Sequence, residues 1–199
     1  MRISSIERLS AGSVRDVAGL ATLAFGMAGL SIWAAPGVLG WLGAGLALIM
    51  LAIATIDARW FIIPNELSAA GFALALINAA VRAQDGIAAA TGMALLRGVA
   101  LALLFLGLRM LYRRVRGRDG IGLGDVKLAG VMGAWLGWVT IPIAVEIAAL
   151  SAIAAYAFRH YARGRPLDTA LKFPFGLFLA PSIWLCWLFE VMVLNPSML

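Results

Sequence analysis

From Val17 to Ile56 the chain carries no charged side chain, and comparable apolar runs recur along the rest of it. Runs of this length decide the solvent before they decide the fold. About 20 apolar residues in a helix cross the roughly 30 Å hydrocarbon core of a bilayer. Of the 199 residues 63% are hydrophobic and only 13% charged, against about 25% charged in soluble domains. A polytopic membrane protein is implied. Inside lipid the backbone must satisfy its own hydrogen bonds, which leaves helix bundles or closed barrels. The apolar runs do not alternate with polar residues, so an all-α transmembrane bundle is expected. One cysteine, Cys186, allows no internal disulfide and no cysteine zinc cluster. No cofactor or metal is expected. The net charge of +6 sits in short loops, where lipid headgroups and membrane orientation account for it better than nucleic acid does.

Breakers divide the chain into seven spans. Arg2, Arg8 and Arg15, interleaved with Ile3, Ile6 and Leu9, predict a cytoplasmic interfacial helix over 1–16, ahead of an uncleaved first span at Val17–Ala34. Pro36 and Gly37 end that span. Span two covers Val38–Ile56 and stops at Asp57. A polar elbow follows with Arg59, Pro64, Asn65 and Glu66, in which Asn65 is the expected N-cap of span three, Leu67–Val81. Arg82, Asp85 and Gly86 form the outer turn. Span four runs from near Met93 to Tyr112, with Arg97 one turn inside and snorkelling outward. The apolar region 126–158 would measure roughly 50 Å as one helix, too long for one crossing. Gly133, Gly137 and Pro142 therefore split it into a short span five, Val126–Trp138, and span six, Ile141–Phe158. A basic loop (Arg159, His160, Arg163, Arg165, Lys172) precedes span seven, Phe175–Leu194.

Charge supports this division. All of the 16 Lys and Arg except Arg82 and Arg97 fall on one side, as the positive-inside rule requires of a cytoplasmic face. A single span over 126–158 would put the 159–172 loop outside. The seven-span reading also places Asp57 and Asp125 on the same cytoplasmic face, within one transmembrane domain over 1–199.

Asp125 lies in Gly122-Leu123-Gly124-Asp125-Val126-Lys127, after the cluster Arg113, Arg114, Arg116 and Arg118. Taken plainly, it is an N-cap favoured by the helix dipole. Asp57 is likewise readable as an interfacial acid near Arg59, and Lys127 as a lysine holding lipid phosphate. A shared site would give the two acids more to do. Two carboxylates held close cannot both ionise easily and titrate as a unit. The ionised member accepts a proton from water while the neutral one donates to a carbonyl oxygen. Lys127 would then bias which acid carries the charge. Among other residues, Glu146 falls inside span six with a packing or hydrogen-bonded role expected. Glu190 is expected near the outer interface, His160 in a solvated loop, and Trp60 and Trp138 as interface anchors.

Gly122 to Leu128, followed by Gly133-Ala134-Trp135-Leu136-Gly137-Trp138, resembles the signature of type IV prepilin peptidases, membrane aspartic proteases of the GxGD class. Ile56-Asp57 with Ile63-Pro64-Asn65 resembles the family's first aspartate motif. Phe173-Pro174-Phe175-Gly176-Leu177-Phe178-Leu179-Ala180 resembles its C-terminal Pro-Phe-Gly stretch. The likeness covers most of residues 38–194. It implies that Asp57 and Asp125 are the catalytic pair, with Gly122, Gly124, Lys127, Pro64, Asn65, Pro174, Phe175 and Gly176 in support. It implies cleavage of a short basic leader from prepilin-like precursors, of pilin, pseudopilin or Tad type, at the cytoplasmic border of the inner membrane. Many members carry a large insert with two Cys-x-x-Cys pairs, linked to N-methylation. Here only Pro36 and Gly37 separate spans one and two, so the short form is expected, without methyltransferase activity.

Two rival readings use the same residues. A proton-coupled transporter would relay protons through Asp57, Asp125 and Glu146, but the helix breaks lie at the membrane border rather than the midplane that such carriers use. A presenilin-type intramembrane protease would need a Pro-Ala-Leu motif where this chain has Leu179-Ala180-Pro181.

Overall fold

A computed structural model describes residues 3–35, 37–83, 86–117, 120–163 and 174–194. Seven α-helices follow one another, α1 (Ile3–Ala34), α2 (Val38–Trp60), α3 (Asn65–Val81), α4 (Ile87–Arg116), α5 (Leu123–Trp135), α6 (Thr140–Arg163) and α7 (Gly176–Phe189). A π-helical turn, Glu190–Leu194, extends the last of them. No strand occurs among the described residues, and the molecule is an all-α polytopic membrane bundle.

Five segments are long and apolar enough to cross a membrane, at Val17–Ala34, Val38–Trp60, Ile87–Arg116, Thr140–Phe158 and Gly176–Val193. The break expected near Gly137 is present, since α5 ends at Trp135 and α6 starts at Thr140. The helix bounds differ from expectation elsewhere: α2 runs past Asp57 to Trp60, α4 to Arg116 and α6 to Arg163, and α5 covers Leu123–Trp135. Residues 3–34 form one continuous helix rather than an interfacial helix followed by a span, and α4 begins at Ile87 rather than near Met93. Nothing in 87–92 opposes helix beyond Gly92, so the helix simply extends to the Gly86 turn (φ 134°).

The 13-residue α5 is short because it does not face lipid. From Leu128 to Trp135 every one of its residues is buried, and it packs against α3, α4 and α7. A helix apolar all round belongs in a protein interior. Close approach makes this possible. A Cβ on Gly133 would lie 2.5 Å from the Arg97 carbonyl oxygen, so α4 and α5 touch backbone to backbone. On the other side the Trp187 ring of α7 lies over Gly43 of α2, where a Cβ would fall 1.8 Å from the ring. Trp187 also meets Trp135 edge to face, with centroids 6.3 Å apart and planes at 88°. Two indole N–H groups tie the layers together. Trp135 Nε1 donates to the Gly71 carbonyl of α3 at 2.9 Å, and Trp184 Nε1 donates to Ser31 Oγ of α1 at 2.9 Å.

Chain direction follows from this packing. Asn65 opens α3 and is bonded to Lys127 in the first turns of α5. Gly176 opens α7 beside Asp57. Hence α3, α5 and α7 all start at one end of the bundle, and their last residues lie towards the other.

Candidate active site

The last turn of α2 carries Asp57, which is only 5% exposed. The helix ends at Phe61, the one described non-glycine residue with positive φ (56°), whose N–H donates to the Asp57 carbonyl oxygen at 3.0 Å. A bulky residue in the left-handed region stores strain that its surroundings must hold in place. That turn throws the chain sideways into Ile62, Ile63 and Pro64. Ile63 is buried and acts as a wedge. Its side chain lies 3.0 Å from where a Cβ would stand on Gly124, and 2.8 Å from the same point on Gly176. The elbow after Asp57, the loop before Asp125 and the start of α7 therefore meet around one isoleucine.

Each acid rests on a helix N-terminus. The α7 helix starts without a side-chain cap of its own, and the Leu177 N–H donates to Asp57 Oδ2 at 3.0 Å. Asp57 thus caps a helix 120 residues further along the chain. The same N–H also lies 3.2 Å from the Pro174 carbonyl oxygen. A Cβ on Gly176 would stand 2.8 Å from Asp57 Oδ2, so glycine is needed to let the carboxylate in. A proton on this carboxyl belongs on the oxygen that does not face the Leu177 donor. Asp125 stands in the first turn of α5, ahead of the apolar segment that starts at Val126. Its Oδ2 accepts the Gly122 N–H at 3.1 Å. Burial raises the Asp125 acid to about 6, the Gly122 N–H pulls it down, and the charge of Asp57 adds to the rise. The two carboxyls are therefore within electrostatic reach of each other.

The supporting residues take particular places. Asp125 is not the N-cap, which is Gly122. Pro64, not Asn65, holds the N-cap position of α3. Its extended backbone (φ −60°, ψ 139°) fits the site before a helix, and this frees the Asn65 side chain. Asn65 Oδ1 accepts from Lys127 Nζ at 2.7 Å, and the Ile63 carbonyl accepts from the same ammonium at 3.0 Å. Lys127 turns inward and pins the elbow to α5 instead of reaching for lipid phosphate. Phe175 and Gly176 form the start of α7, while Phe173 lies outside the described residues. One positioning residue had no signature in the sequence. Arg109 Nη1 of α4 donates to the Ile121 carbonyl at 2.7 Å, which anchors the loop one residue before Gly122.

Two other acids differ from expectation. Glu146 is exposed on α6 rather than packed. Glu190 is 6% exposed and buried in the bundle instead of interfacial. Its Oε1 accepts the Gly137 N–H at 2.6 Å and the Thr140 hydroxyl. Arg97 does not snorkel freely either, because its Nε donates to the Gly133 carbonyl at 3.2 Å.

Residues 44–157 match a family described as the type IV leader peptidase family. Similar curated proteins bear the name prepilin leader peptidase/N-methyltransferase. The one from Pectobacterium carotovorum subsp. carotovorum is 32% identical over 79% of this chain and 54% of its own length. That from Burkholderia pseudomallei (strain K96243) is 34% identical over 68% and 42%, and that from Dickeya chrysanthemi is 34% identical over 82% and 55%. The chain thus spans about half the length of the curated relatives it matches. No solved structure matches it significantly.

Proposed function

The chain belongs to the type IV leader peptidase family, and from that premise we propose that it is a membrane-embedded aspartic endopeptidase with Asp57 and Asp125 as its catalytic pair. Its substrates are prepilin-like precursors of pilin, pseudopilin or Tad type, cut where a short basic leader meets the apolar N-terminal helix. It works in the cytoplasmic membrane, with its N-terminus and both acids on the cytoplasmic side.

The observation that carries this reading is that two carboxyls separated by 68 positions are brought to the elbow around Ile63, each held by a backbone N–H donor, with the charge of Asp57 adding to the rise of the Asp125 acid. In such a pair one acid keeps a proton while the other is charged. The charged carboxylate takes a proton from a water as its oxygen attacks the scissile carbonyl carbon. The protonated carboxyl gives its proton to the carbonyl oxygen, which yields a neutral gem-diol. Collapse breaks the C–N bond as the acid that took the water's proton passes it to the leaving nitrogen, while the carboxylate that gave up its proton takes one back from a gem-diol hydroxyl, which restores the pair. The Ile63 side chain packs against Gly124 and Gly176 beside the acids, and apolar surroundings strengthen the interaction between charges.

Co-expression with a prepilin tests the pair. Asp57→Asn and Asp125→Asn are each expected to cut processing about 10²–10⁴-fold, because asparagine cannot exchange the proton. Near-normal processing by either variant rules out the shared mechanism.

A further inference from the structure

The end of the bundle away from the two acids holds a second charged site. Arg82 follows α3, Arg97 lies in α4, and Glu190 opens the π-helical turn after α7. The Glu190 carboxylate is within electrostatic reach of both guanidiniums. All three line a cavity of about 310 Å³. A π-helical turn is uncommon and often accompanies a functional site; here it carries the one acid among the described residues that line the cavity.

Among the described residues the hydrogen bonds of this site are incomplete. Glu190 Oε1 is taken by the Gly137 N–H and the Thr140 hydroxyl. Arg97 Nε is taken by the Gly133 carbonyl. Arg82 Nη2 is buried and has no partner among the described residues. A charged donor left unmatched in the interior is costly, and its presence asks for a missing acceptor. The charges agree with this. Among the described lining residues two arginines face one carboxylate, an excess of one positive charge.

We propose that this cavity binds one phosphate group, seated against Arg82 and Arg97. Arginine's planar fork matches phosphate oxygens, and a monoanionic phosphodiester matches the excess positive charge of the described lining. The rim points to the phosphate of a phospholipid rather than a free ion. Trp138 and Val139 border the cavity and are 54% and 74% exposed, so the mouth is apolar where an acyl chain would leave it. Basic pockets between membrane helices hold anionic headgroups by this combination.

The test uses the full chain purified in detergent and stripped of lipid. Native mass spectrometry follows titration with phosphatidylglycerol, and with a neutral glucosyl diacylglycerol that has equivalent chains but no phosphate. Inorganic phosphate is added separately in a thermal-shift assay. Phosphatidylglycerol is expected to bind one per chain, about ten- to a hundredfold more tightly to the wild type than to Arg82→Gln. Arg116→Gln, in the basic end of α4 near the two acids, is expected to leave that binding intact. Arg82→Lys, which keeps the charge but not the fork, is expected to fall between. Stabilisation by inorganic phosphate, lost in Arg82→Gln, would also support the site and assign it to the free ion. Equal binding of the two lipids to the wild type, with no response to inorganic phosphate, overturns the proposal even if Arg82→Gln fails to fold. So does equal phosphatidylglycerol binding by the wild type and a folded Arg82→Gln.

Discussion

The two ends of the bundle handle buried charge in opposite ways. At one end two acids of the same sign approach each other, and each is held by a backbone N–H at a helix start. Lys127, two residues from Asp125, is engaged by Ile63 and Asn65. At the other end one acid faces two arginines and is bonded by Gly137 and Thr140. Like charges without counterions weaken a fold but keep a proton available for transfer. Opposite charges hold helices together and leave little chemistry to perform. Burial of an acid is therefore not in itself a sign of reactivity. The neighbours decide it.

The comparison breaks most readily at Gly176. A methyl there would stand 2.8 Å from both Asp57 Oδ2 and the Ile63 side chain. Gly176→Ala is expected to displace Asp57 and cut prepilin processing by about 10²-fold, the scale of a 1 Å misplacement in an active site. It should do so while the protein still inserts and folds; processing within a few fold of wild type would detach Asp57 from the start of α7.

Next comes pH. Asp125, raised from 3.8 to about 6, keeps its proton well into mildly acidic conditions and loses it above that point. With Asp125 as the acid of the pair, kcat/KM on a prepilin peptide falls about tenfold per unit above pH 6. In Asp57→Asn the charge that helps hold the Asp125 proton is gone. Its titration, followed by the carboxyl infrared band, moves down while staying above 3.8, because burial remains the larger cause. An unmoved band separates the two acids.

The smallest effect sharpens the contrast through stability. A carboxyl whose folded pKa exceeds its unfolded value favours the fold most below pH 3.8, and that contribution is lost as pH rises through about 6. At pH 7.5 Asp125→Asn removes the penalty, so its melting temperature rises. Glu190→Gln takes the counter-charge from two arginines and lowers the melting temperature instead, by about 2–4 °C for each kcal/mol lost. Shifts of the same sign would erase the distinction between the ends.

Much of this arrangement is legible in the sequence. The excess length of 126–158 over one bilayer thickness predicts the break that appears between Trp135 and Thr140. The positive-inside count puts Asp57 and Asp125 on one face, and the three motifs mark the elbow, the glycine loop and the start of α7. Long-range partners are not legible. Glu190 reads as interfacial because its donors, Gly137 and Thr140, are some 50 residues away. Lys127 reads as a lipid contact because Ile63 and Asn65 lie more than 60 residues before it. The wedge at Ile63 carries no mark either, since one isoleucine in an apolar chain looks like any other.

The bond from Leu177 to Asp57 has a consequence for the order of events at the ribosome. Asp57 emerges early and Asp125 later, yet the donor that completes the first of them belongs to α7. A nascent chain that has not yet delivered that helix holds both acids in unfinished surroundings. The Asp57 carboxylate gains its backbone donor only once α7 has been made and has packed beside α2.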